Sequence, residues 1–341
     1  MRVTRETLIR IAKETAQARA HDNREIVAAY LTGSLLGDAD PFIGGVTDID
    51  MVLVTASKPN QSREIVKLTG DFHIEIAYRA RAEYNPPREL RVNPWLGCEI
   101  YAPMLLYERE KFFDFVQAAV RAGFEFHGPA LTLQRCRTLL GHGRQIWMDL
   151  LEVGEKAGPQ EVAKYFKSLY HAVNAVAELN GNPLAERRLL LDFPSRAEQA
   201  ERPGMAAGLL GLLGGAGLEA GTLASWLPAW KSDFLSAAES GKADPRIHAA
   251  RLAYYEKALQ AMIESENAVA ALWPMLHTWT GAAVVLDPDH LKGWRSACET
   301  LGLSGQKFEE RVSGLDQFLD EVEILLDEVA AANGLETSTS I

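Results

Sequence analysis

Three acidic residues indicate the chemistry of this chain most clearly. Asp48 and Asp50 stand at the start of an apolar, β-branched run over 49–54. Their spacing of two places both carboxylates on one face of the predicted strand, about 6.6 Å apart along the backbone. Glu75 lies between two isoleucines in a second, alternating run, so it points away from the apolar face. Carboxylates this close repel one another unless a cation lies between them.

The acids and a nearby turn together predict phosphoryl or nucleotidyl transfer. Three carboxylates on neighbouring strands suit a pair of Mg²⁺ ions about 3.5–4 Å apart, because hard cations take oxygen ligands and share bridging carboxylates. Gly33 and Ser34 directly follow the apolar run 26–31. A glycine there lets the backbone turn around a phosphate, and a serine supplies a hydroxyl and an N–H. Taken alone, the turn is equally well an ordinary strand ending.

Four other polar residues lie near Glu75 in the sequence, and each has two interpretations. His73 shares the predicted face of Glu75 and could contact substrate or relay a proton, but a structural role is favoured for a single histidine. Asp71 follows a glycine and is interpreted as a turn residue. Arg79 and Arg81 suit phosphate geometry, although solvent exposure is the favoured interpretation of both.

Strands in the first third of the chain are expected to position these residues. Apolar spacing predicts an amphipathic helix that ends near Ala20. Apolar and β-branched runs predict the strands, and a helical pattern stopped by Gly123 predicts the last helix. The expected elements are strands over 26–31, 49–54 and 71–78, a further strand from residue 99, and a helix over 111–122.

The remainder of the chain has the pattern of a helical domain. Beyond about residue 130, β-branched alternation gives way to Ala- and Leu-rich segments of helical period. The predicted fold class is therefore α+β, with a small mixed β-sheet domain flanked by helices and followed by an all-helical domain. The predicted domains are 1–128 and 129–335, followed by a disordered tail over 336–341. The predicted helices are 131–155, 160–180, 184–191, 223–239, 245–265, 266–280, 290–301 and 305–332, with 203–218 as an interhelical segment.

Composition excludes several classes of function. The 341 residues include 35 basic and 46 acidic side chains, for a net charge of −11, which argues against a protein that grips a long nucleic acid. The three cysteines are too scattered for a disulfide framework or a zinc site. No export signal or membrane span is visible, so a cytoplasmic location without a membrane partner is expected. The sequence leaves a homodimer open.

The turn and the acids resemble the signature of the nucleotidyltransferases of the DNA polymerase β superfamily. That signature is a hydrophobic residue, Gly, then Gly or Ser, a gap of roughly nine to thirteen residues, and Asp-hydrophobic-Asp or Glu. Gly33 and Ser34, thirteen intervening residues, and Asp48 to Asp50 match it, while Thr32 replaces the usual hydrophobic residue. Glu75 between isoleucines resembles the family's third acid. A helical domain behind such a catalytic domain resembles the aminoglycoside and lincosamide nucleotidyltransferases.

The resemblance implies a mechanism and a ligand set. An acceptor hydroxyl would attack the α-phosphorus of a nucleoside triphosphate in line, and pyrophosphate would leave, with AMP as the first candidate for the transferred group. Asp48 and Asp50 would bind two Mg²⁺ ions, and the turn at Gly33 and Ser34 would hold the β- and γ-phosphates. Glu75 would complete the second metal site or take the acceptor's proton, with the second role favoured. The acceptor would be a small molecule in a cleft walled by the helical domain.

Two alternatives to a small-molecule acceptor stay open at the level of sequence. A protein side chain could be the acceptor, as in antitoxin-like nucleotidyltransferases, although those are usually small single domains. The chain could also be a non-catalytic nucleotide-binding homologue, because fold and activity are separate properties.

Overall fold

The computed structural model describes residues 3–124, 129–152 and 157–337. The chain forms two compact units, Met1–His127 and Gly128–Ile341. The fold class is α+β, as the sequence predicts: the first unit contains a mixed β-sheet with flanking helices, and the described part of the second is helical. Among the described residues, no helix is both long and apolar enough to cross a bilayer.

The first unit is built on one sheet. Its elements are α1 (Arg5–Asp22), β1 (Ile26–Thr32), β2 (Ile49–Thr55), β3 (Arg63–Lys67), β4 (His73–Ala80), α2 (Leu96–Tyr101), β5 (Met104–Glu108) and α3 (Phe112–Phe124). The strand order across the sheet is β3-β4-β2-β1-β5. Strands β2 and β4 run parallel, whereas the other neighbours are antiparallel.

Each face of the sheet packs against helices, and this packing fixes the direction of the strand side chains. Met51 and Ile76 belong to a core that packs on α1. Val52 belongs to a second core, on the opposite face, with side chains of α2 and α3. Because side chains alternate along a strand, Asp50 shares the face of Val52, and Glu75 lies on the face opposite Ile76. Both acids therefore point to the side of the sheet covered by α2 and α3.

Two elements of the first unit differ from the sequence-based expectation. Residues 99–101 were expected in a strand, but they end the short helix α2. The Asn93 side chain accepts hydrogen bonds from the backbone N–H groups of Trp95 and Leu96 at 3.0 and 2.8 Å, so it caps that helix. Strand β3 was not expected, because it is a short edge strand in which no residue is fully buried.

The described part of the second unit is an assembly of helices around a buried central one. In chain order the helices are α4 (Pro129–Met148), α5 (Pro159–Ala177), α6 (Leu189–Gln199), α7 (Gly204–Leu212), α8 (Ala220–Ser240), α9 (Leu252–Ile263), α10 (Leu272–Ala283), α11 (Lys292–Leu301) and α12 (Gly305–Ala332). Helix α5 contributes the largest number of buried residues, and every residue from 171 to 177 is inside.

Most predicted helices of this unit overlap observed ones, with two exceptions. The bounds predicted for the helix over 184–191 are wrong, because Glu186–Arg188 form a short 3₁₀ turn and α6 runs from Leu189 to Gln199. Helix α12 has the predicted bounds. The segment 203–218, expected to be interhelical, contains α7, which buries Met205, Leu209 and Leu212. Glycines in this segment interrupt the apolar spacing that would otherwise predict the helix. Residues 338–341 of the predicted tail lie outside the described residues. The roles assigned to domains 1–128 and 129–335 stay predictions.

A partly buried carboxylate links separate segments of the helical unit. Glu186 lies 2.9 Å from Nδ1 of His277 and 3.4 Å from Nε of Arg246. Burial alone would raise the pKa of Glu186, but His277, Arg246 and Arg251 outweigh it and lower that pKa to about 2. The carboxylate thus stays charged and links α10 to the segment before α9.

A buried polar network lies behind the acids on the same face of the sheet. Tyr30 Oη donates to Glu99 and lies 2.8 Å from Tyr84 Oη. Arg79 pairs with the other oxygen of Glu99 at 2.8 Å. Burial raises the pKa of both tyrosines, so they remain neutral donors. The expected solvent exposure of Arg79 is wrong, because its side chain is only 28% exposed.

We expect Glu99→Gln to destabilise the first unit by about 2 kcal/mol, because it removes the charge that a largely buried guanidinium pairs with. Hydrogen exchange of peptides from β1 and β4, measured on the full chain by mass spectrometry, reports this unit specifically. Glu83→Gln is the matched control, since Glu83 lies 3.9 Å from the same arginine at an exposed position and should cost under about 0.5 kcal/mol. Equal protection in the two variants would contradict the role of the buried pair.

Candidate functional site

Strand register places the predicted acids side by side. Across the sheet, Thr32 of β1 is the partner of Asp50 in β2, and Asp50 is the partner of Glu75 in β4. Adjacent strands lie about 4.8 Å apart, and directly opposed residues project from the same face. The turn after β1 and the two carboxylates therefore share one small region, at the end of the sheet where β2 and β4 begin.

Gly33 makes a close contact that only glycine allows. Its φ is +77°, and a Cβ built on it would lie 2.8 Å from Cγ of Asp50 and closer still to a carboxylate oxygen. The next residue, Ser34, lies with its Oγ 3.1 Å from Oγ1 of Thr47. Thr47 in turn directly precedes Asp48. The turn and the acidic loop are thus fitted to each other, in the order that the sequence predicts.

A buried group of potential metal ligands lies beside this turn. Among the described residues, one set of three such side chains comes together: Asp48, His73 and Glu75, with one ligand atom of each within 4.8 Å of the others. All three are buried, and His73 is fully so. His73 Nε2 lies 3.9 Å from Asp48 Oδ2, which is longer than a hydrogen bond. Two carboxylates and an imidazole in this arrangement can hold a divalent cation.

Asp50 occupies a different position from the other two acids. Its carboxylate packs against Gly33 and its side chain is half-buried, and it is not a member of the group that contains Asp48. The sequence grouped Asp48, Asp50 and Glu75 as the metal ligands. The structure brings Asp48 and Glu75 together with His73, and it places Asp50 between that group and the turn.

An arginine that the sequence did not single out lies at the site. Arg63 of the edge strand β3 forms a close ion pair with Glu75, and its side chain is 37% exposed. Arg79 and Arg81, the arginines considered from the sequence, lie at the far end of β4, about 13 Å or more from Glu75 along the strand. Arg81 lies over the ring of Phe112. Arg63 lies on β3, and because the sequence did not predict that strand, it did not indicate this ion pair either.

His73 is the second residue for which the structure indicates a larger role at the site than the sequence did. Strand alternation was sufficient to place it on the face of Glu75. What the sequence could not supply is the approach of Asp48, which comes from the loop before β2 and depends on the pairing of β2 with β4.

Comparison with known proteins finds similarity among solved structures alone. No family model matches the chain, and no curated protein matches it. A solved structure, of a nucleotidyltransferase-like protein from Exiguobacterium sibiricum, is similar over 95% of this chain and 80% of that one, with 10% identity and a TM-score of 0.28. A TM-score this low does not establish a common fold. Function is therefore inferred from the local geometry of the site.

We expect Gly33→Ala to be more damaging than the same change at Gly45, a glycine of the same loop region. Both have a positive φ, of +77° and +76°, but a Cβ at position 45 meets no atom within 4 Å. Backbone strain is therefore matched, and the difference, about 1–3 kcal/mol, reports the collision with Asp50. Urea denaturation of the full chain, followed by circular dichroism, measures it. Equal midpoints for the two variants would contradict the close fit of the turn to Asp50.

Proposed function

We propose that this chain is a metal-dependent nucleotidyltransferase that moves a nucleoside monophosphate, with AMP as the first candidate, to a hydroxyl of a small molecule. The observation that carries the proposal is the register that puts Gly33, Asp50 and Glu75 in one region, with Asp48 beside them. A glycine turn suits the phosphates of the substrate, and neighbouring carboxylates suit their metal. The charge of −11 favours a small acceptor over a long polyanion.

The reaction requires in-line displacement at phosphorus. The acceptor oxygen forms a bond to the α-phosphorus, the bond from that phosphorus to the oxygen bridging to the β-phosphorus breaks, and pyrophosphate leaves with the electron pair. The acceptor's proton goes to a carboxylate. The turn at Gly33 and Ser34 would hold the β- and γ-phosphates through its backbone N–H groups and the serine hydroxyl.

The metal is assigned to the buried group. Asp48, His73 and Glu75 fit a divalent cation, because their ligand atoms converge within 4.8 Å and two of the three are carboxylates. When bound, the cation would offset the negative charge of the phosphates and lower the pKa of the attacking hydroxyl. Asp48 and Glu75 would bind it, and Asp50 lies outside this ligand group.

The ion pair with Arg63 separates two roles that the sequence left together for Glu75. Glu75 pairs with that guanidinium and lies in the buried group with Asp48 and His73, where a cation would be held. We therefore assign Glu75 to metal binding rather than to proton transfer. Asp50, half-buried beside Gly33, is assigned to the acceptor's proton.

Three variants of the acids are expected to separate these roles. Asp48→Asn and Glu75→Gln should lose both metal affinity and transfer, whereas Asp50→Asn should lower transfer by about 100-fold or more and retain the metal. Transfer is measured with α-labelled nucleoside triphosphates, a panel of hydroxyl acceptors, and Mg²⁺ or Mn²⁺. Asp38→Asn, an exposed acid in the same loop region, is the control and should leave the rate unchanged. Full transfer by Asp48→Asn, or no nucleotide binding by the unmodified chain, would refute the proposal.

Arg63→Gln is expected to shift metal and nucleotide affinity in opposite directions. It removes a positive charge at Glu75, so affinity for a divalent cation should rise about tenfold, which corresponds to a Coulomb energy of about 1.4 kcal/mol at the dielectric of water. Affinity for the triphosphate should fall, because an arginine suits phosphate. Titration calorimetry with Mn²⁺, and separately with a nucleoside triphosphate, measures both. Arg10→Gln, which breaks an exposed pair with Glu14 on α1, should change neither.

A further inference from the structure

The buried ligand group contains a nitrogen donor. Relative exposures are 2% for Asp48, 0% for His73 and 7% for Glu75, so the group is nearly closed to water. Mg²⁺ takes oxygen ligands in a near-ideal octahedron and usually keeps several waters. Imidazole, in contrast, suits transition metals such as Zn²⁺, and Co²⁺ and Mn²⁺ accept nitrogen and oxygen together. A closed group with an imidazole is a poor match for Mg²⁺.

Strand geometry keeps the imidazole in the group. His73 is the first residue of β4, and its neighbours Phe72 and Ile74 point into the core that packs on α1. Alternation along the strand therefore directs His73 to the face of Glu75. The ring cannot turn to the other face without exchanging places with apolar side chains of the core.

The distances between the ligand atoms are close to those expected when the atoms bind one metal ion. Two ligands of a tetrahedral ion with bonds of about 2.1 Å lie about 3.4 Å apart. Nε2 of His73 and Oδ2 of Asp48 are separated by 3.9 Å, and all three ligand atoms fall within 4.8 Å. A shift of about half an ångström, within the reach of small side-chain rotations, brings the first pair to a shared ion.

We propose that Asp48, His73 and Glu75 bind one transition-metal dication, of the Mn²⁺, Co²⁺ and Zn²⁺ class, in preference to Mg²⁺. The inference deepens the proposed function and rests on it, because the same site would supply its metal. His73 is a metal ligand in this assignment and has no part in proton transfer. Affinity rises in the order Mn²⁺, Co²⁺, Zn²⁺, as expected for a site with mixed nitrogen and oxygen donors.

Metal binding by the unmodified full chain is the first test. After treatment with a chelator and dialysis, the chain is titrated with each of the four cations in the absence of nucleotide. We expect one equivalent of Co²⁺ or Zn²⁺, bound at least about 100-fold more tightly than Mg²⁺. Equal affinity for Mg²⁺ and Co²⁺, or no stoichiometric binding of any transition metal, would overturn the proposal.

Nitrogen coordination is tested directly with Mn²⁺. Pulsed electron paramagnetic resonance detects coupling between bound Mn²⁺ and a ligand nitrogen in the unmodified chain, so this measurement does not depend on how a variant folds. A nitrogen coupling that disappears in His73→Gln and persists in His21→Gln is the expected result. His21 is an exposed histidine of α1 and controls for surface binding. Bound Mn²⁺ without a nitrogen coupling would exclude His73 as a ligand.

The same variants test selectivity. His73→Gln replaces the ring nitrogen with an amide oxygen donor, so Co²⁺ and Zn²⁺ affinity should fall about 100-fold while Mg²⁺ affinity changes less than about threefold. Circular dichroism verifies the fold. Tight nitrogen-coordinated metal without nucleotide transfer would reject the proposed function and leave this inference standing. If His73→Gln transfers nucleotide with Mg²⁺ and its metal affinities are unchanged, this inference is rejected and the proposed function stands.

Discussion

The parallel pairing of β2 with β4 is the constraint on which the rest of the site depends. The two strands are not consecutive, because β3 lies between them in the chain, so their contact has to be made across the sheet. That pairing puts Asp50 opposite Glu75, and the antiparallel pairing of β1 with β2 puts Thr32 opposite Asp50. A slip of one residue in either register would send an acid into the core that packs on α1.

Charge compensation is the second requirement of this arrangement. Two carboxylates buried at one end of a sheet would be costly without opposite charge or hydrogen-bond donors nearby. Arg63 supplies charge from the edge of the sheet, and His73 supplies a ring that can accept either a proton or a metal. The network around Glu99 follows the same rule farther along the sheet, where Arg79 and two neutral tyrosines surround a carboxylate.

Much of the fold follows from local patterns in the sequence, and the parts that do not are those decided by distant residues. The α+β class, the helix that opens the chain, the two central strands and the bounds of α12 are set by periodicity that a short window contains. Strand β3 is an edge strand with little burial, so it has no strong apolar signal of its own. Helix α2 begins just after Asn93, whose side chain accepts hydrogen bonds from the backbone N–H groups of Trp95 and Leu96.

The same distinction between local and distant determinants applies to the candidate site. Gly33, Asp48, Asp50 and Glu75 could be selected from the sequence because residue type and spacing carry the information. The neighbours of Glu75 could not, since Arg63 arrives on β3. Whether Asp48 approaches His73 depends on strand pairing rather than on spacing. Residue type and spacing indicate the acids of the candidate site, and strand pairing determines which side chains surround them.

The tight fit at Gly33 limits how this region can be redesigned. Every residue other than glycine at position 33 adds a Cβ that overlaps the Asp50 carboxylate, so the carboxylate has to move to accommodate it. Gly37, four residues later, has room for a side chain: the nearest atom to its Cβ is a backbone oxygen at 3.7 Å. Substitutions meant to change ligand preference in this loop can therefore be made at Gly37, while Gly33 has to be retained.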